Sequence, residues 1–415
     1  MTSAAAAQDF TTLKGHGGPI MGLAVTPDDK VATASFDNSL GVWDGRAPTW
    51  LEGHDAAVTA LLALPDGQLA SGGDDFAVML WDGPQGRVLG RHKGKVTSLA
   101  LSPDGRWLAS GSWDGTVGLW PLQTGTARTL HINGNVNDIA FVEEGAGLLV
   151  ATSQGRLSKF DVSGEDTPHP LVNHGFGINE LVIGQGWIAY GAVDGGTRIV
   201  SQKDGAPLHD FTLDRRPVLA MVHHPETDQL AVGDGEGFIM IIDTKDWRIA
   251  RDFKATRKGP VWALAFSQDG QTIHAGGLDD VAYSWPVALL GEFEPGISGA
   301  RSFLRAADEM PNGERQFMRK CSICHALDAG PSRKAGPTLY NVFGRRAGAL
   351  EGYRYSQILD GSDIVWTETT IDALFDEGPD HYIPGSKMPM QVIAKPQDRA
   401  DLIAFLKEAT TGDGK

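Results

Sequence analysis

His92–Trp120 reads HKGKVTSLALSPDGRWLASGSWDGTVGLW, and this stretch decides the fold of the first two-thirds of the chain. Val96–Leu101 is a short β-rich run. Pro103-Asp104-Gly105 makes a turn, Trp107–Ser110 supplies a second strand, and Thr116–Trp120 a third after Asp114-Gly115. Runs of this kind, separated by turn residues every ~8–12 positions, predict antiparallel sheet. The landmarks recur upstream. Gly15-His16 leads to Trp43-Asp44, Gly53-His54 leads to Trp81-Asp82, and the three tryptophans stand 38 and 39 residues apart.

This pattern resembles the WD40 family, whose repeats are four-stranded blades arranged radially as a β-propeller. The resemblance covers residues 9–286 and degrades along the chain. His131 leads to Phe160-Asp161, His174 to a blade ending near Ile199, and Pro217–Asp243 and Pro260–Trp285 supply the last two of seven expected blades. Asp9–Leu13 precedes the first Gly-His. It is expected to be the outer strand of the last blade, beside Val261–Phe266, Thr272–Gly276 and Val281–Trp285, so that no edge stays open. The histidines are expected to be structural. His16, Ser35, Asp37 and Trp43 match the family's buried hydrogen-bond network, and His92, Ser112, Asp114 and Trp120 repeat it. His223-His224 fall outside the pattern. Turn chemistry accounts for Asp74-Asp75 and Asp279-Asp280 without calcium.

The 53 glycines and 11 tryptophans suit turn-rich β structure. No apolar run approaches the ~20 residues that a membrane-spanning helix needs. Net charge is −16, unevenly spread: Arg301 onward holds 15 Lys+Arg against 16 Asp+Glu, leaving 21 against 36 for residues 1–300. The first part therefore repels nucleic acid; it either attracts a basic protein or is a solubilising surface. Residues 1–8 include Ala4-Ala5-Ala6-Ala7-Gln8, which reads as the end of a cleaved export signal or as a flexible tail.

Cys321-Ser322-Ile323-Cys324-His325 contains both cysteines of the chain. C-x-x-C-H is the attachment sequence of c-type haem: each thiol adds across a vinyl group, and the histidine meets the iron from one face. Zinc would need further ligands of the same kind, and a thioredoxin-like pair would sit beside a βαβ unit; neither context is present. One covalent haem c is expected. Such attachment places the protein outside the cytoplasm, so a periplasmic location is expected.

Residues 287–311 read as a linker, with Arg301–Glu309 a short connecting helix. Residues 312–415 resemble class I cytochrome c, close to the mitochondrial type. Gly313 and Phe317 open the first helix. After the haem site come Gly336-Pro337, Phe343-Gly344-Arg345, Gly352-Tyr353-Arg354-Tyr355, Trp366, Ile383-Pro384-Gly385-Ser386-Lys387-Met388 and Asp401–Leu406. The resemblance implies an all-α domain in which His325 and Met388 are the axial ligands and the carbonyl of Pro337 accepts the other ring N–H of His325. Met390 is the alternative sulfur, but the preceding Ile-Pro-Gly-Ser-Lys matches at Met388 only. Arg345, Tyr355 and Trp366 are implied donors to the haem propionates, and Phe317 is expected to pack on Leu402 and Phe405. Two departures are visible. Leu359 stands where the family has a buried asparagine, and Leu374 or Phe375 where it has a tyrosine, so a drier pocket with an altered potential is expected. Lys320 and Lys387 remain of the family's lysine ring, while Asp380 and His381 replace others, which weakens steering toward an acidic partner or records drift alone.

With both axial positions filled, the iron offers no site to a substrate, so respiratory-type electron transfer is expected, with the propeller as a protein-docking platform. A redox protein would meet the exposed haem edge. The competing reading is an oxidoreductase whose propeller holds a substrate or second cofactor and whose cytochrome passes electrons out.

Overall fold

Seven antiparallel sheets of four strands each follow one another along the first two-thirds of the chain. A computed structural model describes residues 10–162, 167–213, 217–256, 259–290, 310–330, 333–356 and 358–411. The chain divides into two compact units, Met1–Gly296 and Ile297–Lys415, and each is taken by itself. The expected tail at 1–8 and the expected helix at Arg301–Glu309 lie outside the described residues.

The first blade shows how sequence becomes sheet. Its strands are Ile20–Val25, Val31–Ser35, Ser39–Asp44 and Ala47–Glu52. Val31 lies opposite Trp43, and Thr33 opposite Gly41. Gly41 has no side chain, and a Cβ there would come within 3.1 Å of the Trp43 Nε1. The indole can therefore fold back across its own strand and reach Thr33. The first strand of each sheet packs against that of the next, all the way round. Thr11–Lys14 completes the last blade by pairing with Val281–Pro286, Thr11 opposite Ser284 and Lys14 opposite Val281. The ring therefore closes where the sequence places its closure, with Thr11–Lys14 as the strand expected at Asp9–Leu13.

Each blade carries a bulge after the first residue of its first strand, as between Val136 and Asp138 or Ile178 and Glu180. The extra residue is turned to use. Thr59 Oγ1 donates to the Val96 carbonyl at 2.6 Å, Thr97 Oγ1 to Val136 at 2.8 Å, Asn137 Nδ2 to Ile178 at 2.9 Å and Asn179 Nδ2 to Val218 at 2.8 Å. Four successive blades are thus latched to their successors. Beside the latches, Asp138 accepts from Ser98 Oγ at 2.5 Å and from the Leu181 N–H at 2.7 Å. Burial pushes the Asp138 carboxyl up to about 6, and burial followed by the Asp138 charge pushes Glu180 well up.

The histidine network exists, but its hydroxyl is not where the sequence reading puts it. His16 Nδ1 meets Asp37 at 2.9 Å, and its Nε2 meets Thr33 Oγ1 at 2.7 Å; Trp43 Nε1 donates to that same oxygen at 2.9 Å. Ser71 and Ser110 play the Thr33 part beneath His54–Trp81 and His92–Trp120. Ser35 and Ser112 instead donate to the carbonyls of Gly18 and Gly94, at 3.1 Å each. The indole reaches only the residue ten positions upstream, which its strand register brings beneath it. Asp75 also belongs to this network, since it accepts from His54 and from the Asp55 N–H. His224 bridges Thr227 Oγ1 and the Gln268 carbonyl.

The second unit is helical: α1 Asn312–Lys320, α2 Glu368–Glu377, α3 Pro379–Tyr382 and α4 Pro396–Thr410. Helices α1 and α4 cross at Gly313, where a Cβ would lie 2.1 Å from the Asp401 carbonyl oxygen. The Phe317 and Phe405 rings meet at 5.6 Å, and Leu402 is wholly buried. Asn312 ties the crossing through Asp398 at 2.9 Å and Asp401 at 2.6 Å. Thr367 and Thr370 cap α2 reciprocally. The buried Arg399 pairs with Asp372 and Asp376, each at 2.8 Å, joining α4 to α2. Among the described residues, no helix is long and apolar enough to cross a membrane.

Candidate haem site

Helix α1 delivers the pentapeptide. The Cys321 N–H caps the helix on Phe317, and the N–H groups of Cys324 and His325 both turn back to the Cys321 carbonyl, at 3.0 and 2.8 Å. This tight turn sets both sulfurs and the imidazole at the end of one helix. His325 Nδ1 lies 2.7 Å from the Pro337 carbonyl oxygen. A carbonyl only accepts, so Nδ1 carries the proton and Nε2 keeps its lone pair for a metal. Burial holds the imidazole below its usual range, with Arg345 and Lys334 adding to this and the Pro337 hydrogen bond opposing it. The ring is held neutral, the form that ligates.

The Pro337 loop is fastened from several sides. The Gly336 N–H donates to the Cys324 carbonyl at 2.7 Å, and the Leu339 N–H to Ala326 at 2.8 Å. Tyr353 Oη donates to the Ala335 carbonyl at 2.6 Å. Arg345 donates to the carbonyls of Thr338 and Tyr340, at 2.7 and 3.1 Å. Arg345 therefore clamps the loop with part of its guanidinium. Trp366 is brought beside it through the backbone: its N–H meets the Arg345 carbonyl at 2.9 Å, and its carbonyl accepts from Gly344 at 2.8 Å. Tyr355 lies against Tyr353, ring centroids 4.7 Å apart. Met388 is partly buried and packs on the core that holds Cys321, Phe317 and Leu402, whereas Met390 is 56% exposed.

Three observations test whether these residues fit a haem. A Cβ on Gly336 would stand 2.5 Å from His325 Cε1, so the loop is shaped to the ring. The partly buried apolar side chains of Leu327, Leu339, Phe343, Leu359, Trp366 and Met388 line one core with Cys321. Ser356 Oγ, next to Tyr355, is buried without a partner among the described residues. A buried hydroxyl of that kind needs an acceptor, and a propionate is one. The residues fit. Ser356 was missed in the sequence, where a serine after Tyr-Arg-Tyr reads as ordinary loop. The thiols point the same way: burial pushes Cys321 up to about 12 and raises Cys324, unlike the acidic thiolate of a C-x-x-C redox pair. Leu374 and Phe375 are both buried and apolar, so neither supplies the hydroxyl that the family has there.

On the propeller, a cleft of about 460 Å³ opens between the outer strands of the fourth and fifth blades, lined in part by Leu171, Tyr190, Arg198 and Leu208. Arg198 is already engaged there by Asp210 at 3.3 Å and by His174.

Comparison with known proteins gives two separate matches. The family model "WD domain, G-beta repeat" matches residues 8–44, 47–82, 83–121 and 247–285. The model "Cytochrome c" matches residues 311–410. Cytochrome c of Sesamum indicum is 46% identical over 103 residues, 25% of this chain and 91% of that protein. Cytochrome c of Gossypium barbadense is 46% identical over 99 residues, 24% and 87%, and that of Theileria parva 44% over 99 residues, 24% and 84%.

Proposed function

Because the chain belongs to the cytochrome c family, with WD40 repeats ahead of its haem-binding domain, we propose that it is an exported, periplasmic one-electron carrier whose propeller docks a protein partner. In this reading the domain is of class I, Cys321 and Cys324 hold one haem c, and His325 and Met388 bind its iron. A six-coordinate haem supplies one reversible electron at the iron and no open position for a substrate.

The observation that carries the proposal is the 2.7 Å contact of His325 Nδ1 with the Pro337 carbonyl. It fixes the tautomer and aims Nε2 away from the loop. Tyr353 on the Ala335 carbonyl and Arg345 on those of Thr338 and Tyr340 fasten the loop on both sides of Pro337 and so keep the imidazole in one orientation. Tyr355, Trp366 and Ser356, with the remaining Arg345 donors, serve the propionates. Leu359, Leu374 and Phe375, in the apolar core with Cys321, would help exclude water from the group.

The propeller keeps the partner near the haem and raises its effective concentration. The test is a visible spectrum of the protein from a host that matures c-type haem, with cofactor analysis, and a pull-down using the propeller as bait. A second chromophore, or no redox partner retained, overturns the carrier-and-platform reading.

A further inference from the structure

Gln391 follows Met388 by three residues. Its Nε2 donates to the Lys320 carbonyl at 2.9 Å, at the C-terminal end of α1 and one residue before Cys321. Its Oε1 is buried without a hydrogen-bond partner among the described residues. Further on, the Ile393 N–H donates to the Phe375 carbonyl at 2.8 Å, and Arg399 donates to the Ile393 carbonyl at 2.8 Å. The segment after Met388 is thus anchored to α2 and α4 at its far end, and to the haem-bearing end of α1 through the Gln391 side chain. One donor thus joins one loop to one helix end, and without it the Lys320 carbonyl loses the bond that holds the loop in.

We propose that Gln391 is a positioning residue, tying the loop that carries Met388 to the helix end that carries Cys321, and so setting how often that loop swings out. The proposal rests on Met388 as the second axial ligand.

The test uses the ferric holoprotein and titrates imidazole, which binds only when the loop is out. Gln391→Leu keeps the volume and removes the donor. Loss of one neutral hydrogen bond raises the loop-out fraction about five-fold, and the apparent Kd for imidazole falls by the same factor. Gln391→Glu, which sets a carboxylate against the Lys320 carbonyl, lowers it further. Asn312→Ala breaks the tie between α1 and α4 instead; it lowers the urea midpoint and leaves imidazole affinity unchanged. A Gln391→Leu protein with a lower urea midpoint but unaltered imidazole affinity overturns the proposal. So does an Asn312→Ala protein with the same affinity gain. Met388→Ala probes the reading beneath it: if the sulfur-to-iron absorption band survives that change, the ligand assignment fails, and the proposal with it.

Discussion

Replacing Gly336 by alanine perturbs His325, the proposed iron ligand, without altering it. The new Cβ would stand 2.5 Å from His325 Cε1, 2.8 Å from Nδ1 and 2.9 Å from Nε2. Ordinary contact begins near 3.4 Å, so the ring must retreat by about 1 Å. The Nδ1 contact with Pro337, 2.7 Å in the native protein, then lengthens beyond hydrogen-bond range. Losing such an outer partner weakens metal binding by roughly 10- to 100-fold, or ~1.4–2.7 kcal/mol. Crowding adds about 1–3 kcal/mol. Together these reach roughly 2–6 kcal/mol, against a typical domain stability of ~5–15 kcal/mol. The domain should fold and retain its thioether-bound haem, but with a weakened imidazole bond. Haem staining on a denaturing gel, the spectrum and the reduction potential measure this. Attachment should persist, a high-spin fraction should appear, and the potential should rise because a poorer donor favours Fe(II). Gly361→Ala is the control: it has φ +88° and nothing within 4 Å of the added carbon, so it strains the backbone away from the histidine. A Gly336→Ala protein with native spectrum and potential would refute the reasoning.

Thr33→Val should cost about 2–4 kcal/mol in urea unfolding of the propeller, because it strands both His16 Nε2 and Trp43 Nε1. Ser35→Ala should cost about 1 kcal/mol, and equal losses would contradict the assignment of the network hydroxyl. Leu13→Asp puts a charge into the core formed with Ile20, Trp43 and Ala282; it should open the last blade and lower the melting temperature, and an unchanged melting temperature would argue against that strand closing the ring. Asp138 and Glu180 have folded-state pKa values above their unfolded ones. Their contribution is therefore complete below about pH 4 and is lost as pH rises through about 6 and beyond, by ~3 kcal/mol for Asp138. Urea midpoints from pH 4 to 8 should fall in the wild type relative to the Asp138→Asn/Glu180→Gln double variant, and parallel curves would refute the pair's burial.

The blade count and the ring closure were legible because tryptophan spacing and turn residues repeat whatever the packing. The C-x-x-C-H turn after α1 and its contact with the loop at Pro337 were legible because each is a local chemical pattern. The network hydroxyl was misread because Thr33 and Ser35 share a strand face, and only the pairing of Thr33 with Gly41 separates them. Arg345 as a clamp on the Pro337 loop, Ser356 and Gln391 were not legible. Each depends on a meeting between distant segments, and nothing in a lone arginine, serine or glutamine announces its partner.

The interblade latches make the ring mechanically uneven. Thr59, Thr97, Asn137 and Asn179 join the second to the sixth blades in an unbroken series. The matching bulge positions of the first, sixth and seventh blades hold Met21 and Leu219, which have no N–H or O–H to donate, and Trp262, whose indole is a differently placed donor. The strand that shuts the circle, Thr11–Lys14, lies in the seventh blade. The seventh blade is instead clasped through its turn: His224 and Gln229 of the sixth blade meet the carbonyls of Gln268 and Gly270, and Gln268 donates to Asp29 and to the Thr26 carbonyl of the first. The ring is thus held by two kinds of tie, and the arc from the second to the sixth blade should exchange its amides as one cooperative unit.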